Sequence, residues 1–106
     1  MTDREKVRTL NDAFRRTLSG GRVVATAGIA ARADVTEIIE RVRRFSEFGE
    51  NNDPHGEHDF GAFDHSGDKI FWKIDCYDRD LEMGSEDPSN PEITTRVLTI
   101  MLAHEY

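Results

Sequence analysis

Val7, Leu10, Phe14 and Leu18 recur at gaps of three, four and four residues, one stripe of a 3.6-residue period that predicts a helix. Thr2 followed by Glu5 is a capping-box signal at its start, and Gly20-Gly21 marks its end. The next run, Arg22-Val23-Val24-Ala25-Thr26-Ala27-Gly28-Ile29, is small, β-branched and bounded by glycines. It reads as a strand buried on at least one face. Asp34 with Glu37 three residues on gives a second capping signal. Val35, Ile38, Ile39, Val42 and Phe45 then form a second helical stripe, with Gly49 as the stop.

Gly49-Glu50-Asn51-Asn52-Asp53-Pro54-His55-Gly56 is dense in turn formers and predicts an exposed loop. Beyond it, Ser66-Gly67 separates two strand-like runs, His58 to His65 and Asp68 to Arg79, which a two-residue turn would join as an antiparallel hairpin over 58–79. If His65 pairs with Asp68, then Asp64 faces Lys69, Phe63 faces Ile70, Gly61 faces Trp72 and His58 faces Asp75. Opposed residues share a sheet face. One face then carries Phe63, Ile70, Trp72, Ile74 and Cys76, with Gly61 leaving room for the indole. The other carries the Asp64–Lys69 charge pair. A one-residue slip would destroy both features, so the pattern selects this register.

Asp78 to Asn90 is an acidic, polar loop broken by Asp87-Pro88 and Asn90-Pro91. Asn90 can cap a helix whose first residue is Pro91, and Ile93, Val97, Ile100, Met101 and His104 then share a stripe flanked by Leu98 and Leu102. The resulting order, α-β-α-β-β-α, predicts a small two-layer α+β fold in one domain spanning 1–106, its hairpin packed by helices.

Composition allows such a core. Val, Ile, Leu and Phe number 24 of 106 residues, above the roughly 20% floor below which charged chains stay disordered. The longest apolar stretch, Val97 to Ala103, is far short of the roughly 20 residues of a bilayer-spanning helix. Nothing in Met1 to Lys6 reads as a secretory signal, so a cytoplasmic location is expected. The single cysteine, Cys76, fits a reducing compartment and is expected as a buried thiol.

Charge changes the picture more. The chain has 14 Lys and Arg against 21 Asp and Glu, a net −7. Residues 1–44 hold ten bases and six acids, whereas residues 45–106 hold four bases and fifteen acids. Glu37/Arg41, Glu40/Arg44 and Asp12/Arg16 stand at i,i+4, the pattern of solvated helix faces. Direct nucleic-acid binding is therefore not expected, and a protein partner with a basic surface is.

The densest group of reactive side chains is Asp53-Pro54-His55-Gly56-Glu57-His58-Asp59. His55, His58 and Asp59, joined by Asp75 through the hairpin register, make a candidate nitrogen–oxygen ligand set for a divalent metal ion. A structural role is the preferred reading: a His58–Asp75 cross-strand hydrogen bond pins the hairpin mouth and Asp53 caps the turn. Lys73 with Asp75 and Asp59 would serve a nuclease-like variant of the metal reading. Asp75, Asp78, Asp80 and Glu82 lack the turn glycine and spacing of an EF-hand. No glycine-framed serine elbow, P-loop or dinucleotide fingerprint occurs.

The runs Asn52 to Gly61, Phe71-Trp72-Lys73-Ile74-Asp75 with Tyr77-Asp78, and Arg96 to Ala103 with Glu105-Tyr106 carry a resemblance over nearly the whole chain. The sequence resembles an uncharacterised small domain family of alphaproteobacteria, frequent on plasmids and other mobile elements. The resemblance implies a bacterial cytoplasmic setting and brings no catalytic residue or cofactor with it. The expected function is a non-enzymatic protein-binding or regulatory module without a cofactor. Tyr77, Asp78, Asp80 and Glu82 are its candidate partner-binding residues, and its acidic surface could imitate the phosphate charge of DNA. The alternative is a metal-dependent hydrolase or nuclease built on His55, His58, Asp59 and Asp75.

Overall fold

The computed structural model describes residues 1–106. Helix α1 (Asp3–Thr17) starts as the capping signal requires, with Thr2 extended and its hydroxyl accepting from the Glu5 amide at 3.1 Å. It ends at Thr17, before Gly20-Gly21 is reached, because Leu18 itself takes the left-handed conformation (φ 58°) and donates its amide to Phe14 O at 2.6 Å. Strand β1 (Gly21–Ala25) is shorter than its β-branched run suggested. Thr26 ends it, and Ala27–Ala30 forms a helical turn, α2, that carries Ile29 into the core. Gly28 permits this turn: a β-carbon there would stand 2.7 Å from Glu105 Oε1 and Leu102 Cδ1.

Helix α3 (Val35–Arg43) follows without a side-chain cap. Asp34, read as its cap, instead binds Arg32 through both oxygens, at 2.8 and 3.1 Å. A bidentate guanidinium contact outcompetes a single amide for the same carboxylate. The helix also stops before Phe45 rather than running toward Gly49.

Strands β2 (Phe60–His65) and β3 (Asp68–Tyr77) pair antiparallel in the expected register, with Phe63 opposite Ile70, Gly61 opposite Trp72 and Asp64 opposite Lys69. Ser66 and Gly67, both at positive φ, make the two-residue turn between them. A β-carbon at Gly61 would overlap the Trp72 indole.

The last element corrects the sequence reading. Thr95–Leu102 is not a helix but strand β4, followed by a 3-10 turn at Ala103–Glu105. The segment satisfies two periods at once. Four of its eight residues, Thr95, Val97, Thr99 and Ile100, are β-branched, and alternation buries Arg96, Leu98 and Ile100. Asn90 and Pro91 form a turn instead of a helix start, the Asn90 side chain accepting from Glu92 N at 3.0 Å. β4 pairs antiparallel with β3 and parallel with β1, giving a four-stranded mixed sheet in the order β1-β4-β3-β2.

The fold is α+β. Phe14 of α1, Ile29 of α2, and Ile38 and Val42 of α3 pack with Phe45 against Phe63, Ile70, Trp72, Ile74, Leu98 and Ile100 on one sheet face. Ile29, Ile38, Val42, Ile70, Leu98 and Ile100 are fully buried, each worth about 1.5–3 kcal/mol of transfer free energy. The opposite sheet face carries Lys73, Asp75, Tyr77, Val97 and Thr99, half-covered near Phe60 and Phe71 by edge contacts from Tyr106. No helix is long and apolar enough to cross a membrane.

Candidate functional site

The histidine-rich loop is organised around α1, not around the hairpin. His58 sits at φ 54°, and this left-handed residue turns the chain out of the ladder before β2 begins at Phe60. Its ring lies flat on Phe48, with centroids 3.8 Å apart and planes 4° from parallel. Nδ1 donates to the Asp12 carboxylate, 2.9 and 3.0 Å from its two oxygens, and Nε2 is 3.5 Å from Asp53. The expected His58–Asp75 pair therefore does not form. Asp75 lies opposite Val97 and binds Lys73 at 2.9 Å on the open sheet face.

Asp12 also receives Arg15 at 2.9 Å. That fully buried guanidinium donates in turn to Val42 O and Arg43 O at 3.0 Å each. Asp53 closes the turn as anticipated, its side chain accepting from His58 N at 3.0 Å. His55 is exposed. Asp59 is half-buried, its carbonyl accepting from Ile74 N at 2.8 Å, and burial pushes its carboxyl up from the ordinary range. His55, His58, Asp59 and Asp75 are thus not brought together: no three His, Cys, Asp or Glu side chains converge as metal ligands would. Cys76 is half-buried beside Arg96, and burial raises its thiol, the opposite of what a nucleophile needs.

The second candidate region is the connection from β3 to β4. Asp78 to Ile93 contains six acids, Asp78, Asp80, Glu82, Glu86, Asp87 and Glu92, against one base, Arg79. It is a strap braced by its own hydrogen bonds. Asp78 N donates to Met83 O at 2.8 Å, Leu81 N to Asp78 O at 3.1 Å, and Glu82 N to Asp78 Oδ1 at 3.0 Å. Ser85 N donates to Cys76 O at 2.9 Å and ties the strap to the end of β3.

Thr94, buried, clamps the far side. Its hydroxyl donates to Asp87 O at 3.0 Å and accepts from Ser85 Oγ at 2.7 Å. Arg96, also buried, reaches from β4 to Pro88 O at 2.5 Å and to Asn11 Oδ1 at 2.7 Å. Ser89 donates to Asp87 through its amide and hydroxyl and holds that carboxyl below the usual range.

Of the expected partner-binding residues, Asp80 and Glu82 are exposed. Asp78 is turned inward as the strap's own cap, and Tyr77 lies half-buried where the strap leaves the sheet, bridged to Gly84. Sequence reasoning passed over Met83, 71% exposed at the strap's tip, and Ile93, 40% exposed. With Asp78, Gly84 and Glu86 they line a surface hollow of about 240 Å³. The available signal was a methionine flanked by Glu82 and Gly84 in an otherwise polar loop.

These features define a small α+β protein with helices on one sheet face and a braced acidic strap at one end of the sheet. The chain belongs to the DUF3768 family, a family of proteins of unknown function, whose family model matches residues 23–105. The match takes in the sheet from Val23 onward, α2, α3 and the strap, and leaves α1, with its Asp12 and Arg15, and the first two residues of β1 outside. No curated protein and no solved structure matches the chain.

Proposed function

We propose that the protein is a non-enzymatic protein-binding module whose strap, Asp78 to Ile93, docks on a basic partner surface that offers an apolar anchor. The observation that carries this is the exposure of Met83, 71%, at the tip of a segment held in place by backbone and side-chain hydrogen bonds. Met83 does not stand alone: it shares one surface hollow with exposed Ile93, and methionine suits adaptable binding surfaces. Asp80, Glu82 and Glu86 around it steer a basic partner, and Met83 with Ile93 anchors it. The braces mean that little ordering entropy remains to be lost on docking.

The test is affinity capture from bacterial lysate at low and high salt, using wild-type protein, Met83→Ser and the double variant Asp80→Lys, Glu82→Lys. The expected result is a stoichiometric partner, weakened by salt and lost with both variants while their unfolding midpoints stay unchanged. No stoichiometric partner at low salt, or a partner held equally well by the variants, overturns the reading.

A further inference from the structure

The two edges of the sheet are treated differently. At β2, residues Phe60, Ala62 and Asp64 direct their backbone groups outward, and the Asp64 carbonyl is taken by Arg41 of α3 at 2.6 Å. Arg41 also lies across the Phe63 ring at 4.3 Å, and the polar side chains of Asp64 and His65 finish the strand. Such devices discourage strand addition.

β1 has none of them. Thr26 N donates to Ile100 O at 3.0 Å, so in this parallel ladder positions 22, 24 and 26 bond inward. The N–H and C=O groups of Gly21, Val23 and Ala25 are left at the free edge. The strand has no proline and no bulge, and its one charge is Arg22. Val23 on the helix-bearing face and Val24 on the open face are 39% and 44% exposed.

From this we infer that the β1 edge is a homodimer interface, occupied by β1 of a second copy of this chain running antiparallel about a two-fold axis at Val24. Registers centred on Val23 and on Val24 both pair outward-facing residues and keep the strand's two valines at the seam, and charge chooses between them. With Val23 against its own copy, Arg22 meets Val24 and no carboxylate. With Val24 against its own copy, Val23 meets Ala25 and Arg22 meets Thr26. The Thr26 hydroxyl donates to Glu105 Oε1 at 2.6 Å, and Gly28 N and Leu102 N hold the same carboxylate at 2.9 Å each. Two Arg22–Glu105 pairs then close the interface symmetrically. Both exposed valines leave water, and the sheet becomes eight-stranded. The dimer stands independently of the strap reading and would present two straps per particle, which strengthens any strap contact by avidity.

Sedimentation equilibrium of the full chain tests it. The expected species has twice the monomer mass of 12.1 kDa. Val24→Lys sets two ammonium groups against each other at the axis, and Arg22→Glu sets like charges against Glu105. Both side chains are exposed, so both variants keep the fold, with wild-type circular dichroism, and sediment as monomers; their unfolding midpoints lose only the concentration dependence that the dimer confers. Under mild oxidation Val24→Cys crosslinks the dimer, whereas Val23→Cys and wild-type protein do not. A monomer at millimolar concentration, or a dimer unmoved by Val24→Lys, overturns the interface; crosslinking through Val23→Cys overturns the register.

Discussion

His58 and Asp12 stand 46 residues apart in sequence and share a hydrogen bond of 2.9 Å. It ties the loop before β2 to the middle of α1, and it runs on through Asp12 to the buried Arg15 and the carbonyls that end α3. The carboxylate is therefore the centre of the network and the imidazole one arm of it. His58→Ala removes a charge-assisted bond between partly exposed groups and should cost about 1–2 kcal/mol. Asp12→Ala also leaves the fully buried Arg15 without a counter-charge and should cost about 3 kcal/mol or more. Urea unfolding of both variants checks the order. Equal losses would mean that Arg15 is satisfied by its carbonyl partners alone.

Two carboxyls titrate in opposite senses. Glu105 accepts from Thr26, Leu102 N and Gly28 N, which hold it below the ordinary range. Its contribution is therefore present above the unfolded value of about 4.3 and is lost as pH falls toward the lower folded value. Asp59 is raised by burial, so the folded state holds its proton longer. Stability falls as pH rises from the unfolded value of about 3.9 through the raised one. Thermal midpoints between pH 3 and pH 7 should show Glu105→Gln losing most at neutral pH and little in acid. Asp59→Asn should gain at neutral pH and converge with wild type in acid.

Gly61 is the narrowest point of the core. A β-carbon there meets the indole of Trp72 and the Phe45 ring, with Phe45 Cε1 at 2.8 Å. Trp72 Nε1 makes no hydrogen bond, so the penalty for Gly61→Ala is steric and should fall in the overpacking range of about 1–3 kcal/mol. Trp72 is the chain's one tryptophan. Its emission reports the displacement directly, and an unshifted spectrum with an unchanged urea midpoint would show that the ring has room to move.

The hairpin was legible because two independent constraints agreed on it. Gly61 had to face Trp72, and Asp64 had to face Lys69, and only one register does both. The first helix was legible through its apolar stripe and the Thr2 cap, which act within one turn. β4 was not, because Val97, Ile100 and Met101 fit a helical stripe while Thr95, Val97 and Thr99 fit a strand. Pairing with β3 and β1 decides between the two periods, and no local feature encodes that pairing. The Asp12–His58 contact was hidden for the same reason: a partner on a distant helix leaves no spacing to read. In the strap, the acids were visible as composition. Met83 was not, since its exposure follows from braces by Thr94 and Ser85 that close only in three dimensions.

Thr94 is the residue on which the strap's order depends. Thr94→Val keeps the side-chain shape but removes the donor to Asp87 O and the acceptor for Ser85 Oγ, both inside a residue only 4% exposed. Each lost bond is worth about 1 kcal/mol, and the stranded Asp87 carbonyl adds a desolvation cost where it stays buried. The loss is confined to one side, because Ser85 N still donates to Cys76 O and the β3–β4 ladder is untouched. Amide hydrogen exchange should therefore quicken at Asp87 and Ser89, whose protection rests on the Ser85 and Asp87 side chains, while Trp72 and Ile100 amides exchange as before. A looser strap must be re-ordered on docking, so a partner that uses it should dissociate faster from Thr94→Val than from wild type, with little change in association rate. Unchanged dissociation alongside quickened exchange would mean that the partner contacts the sheet and not the strap.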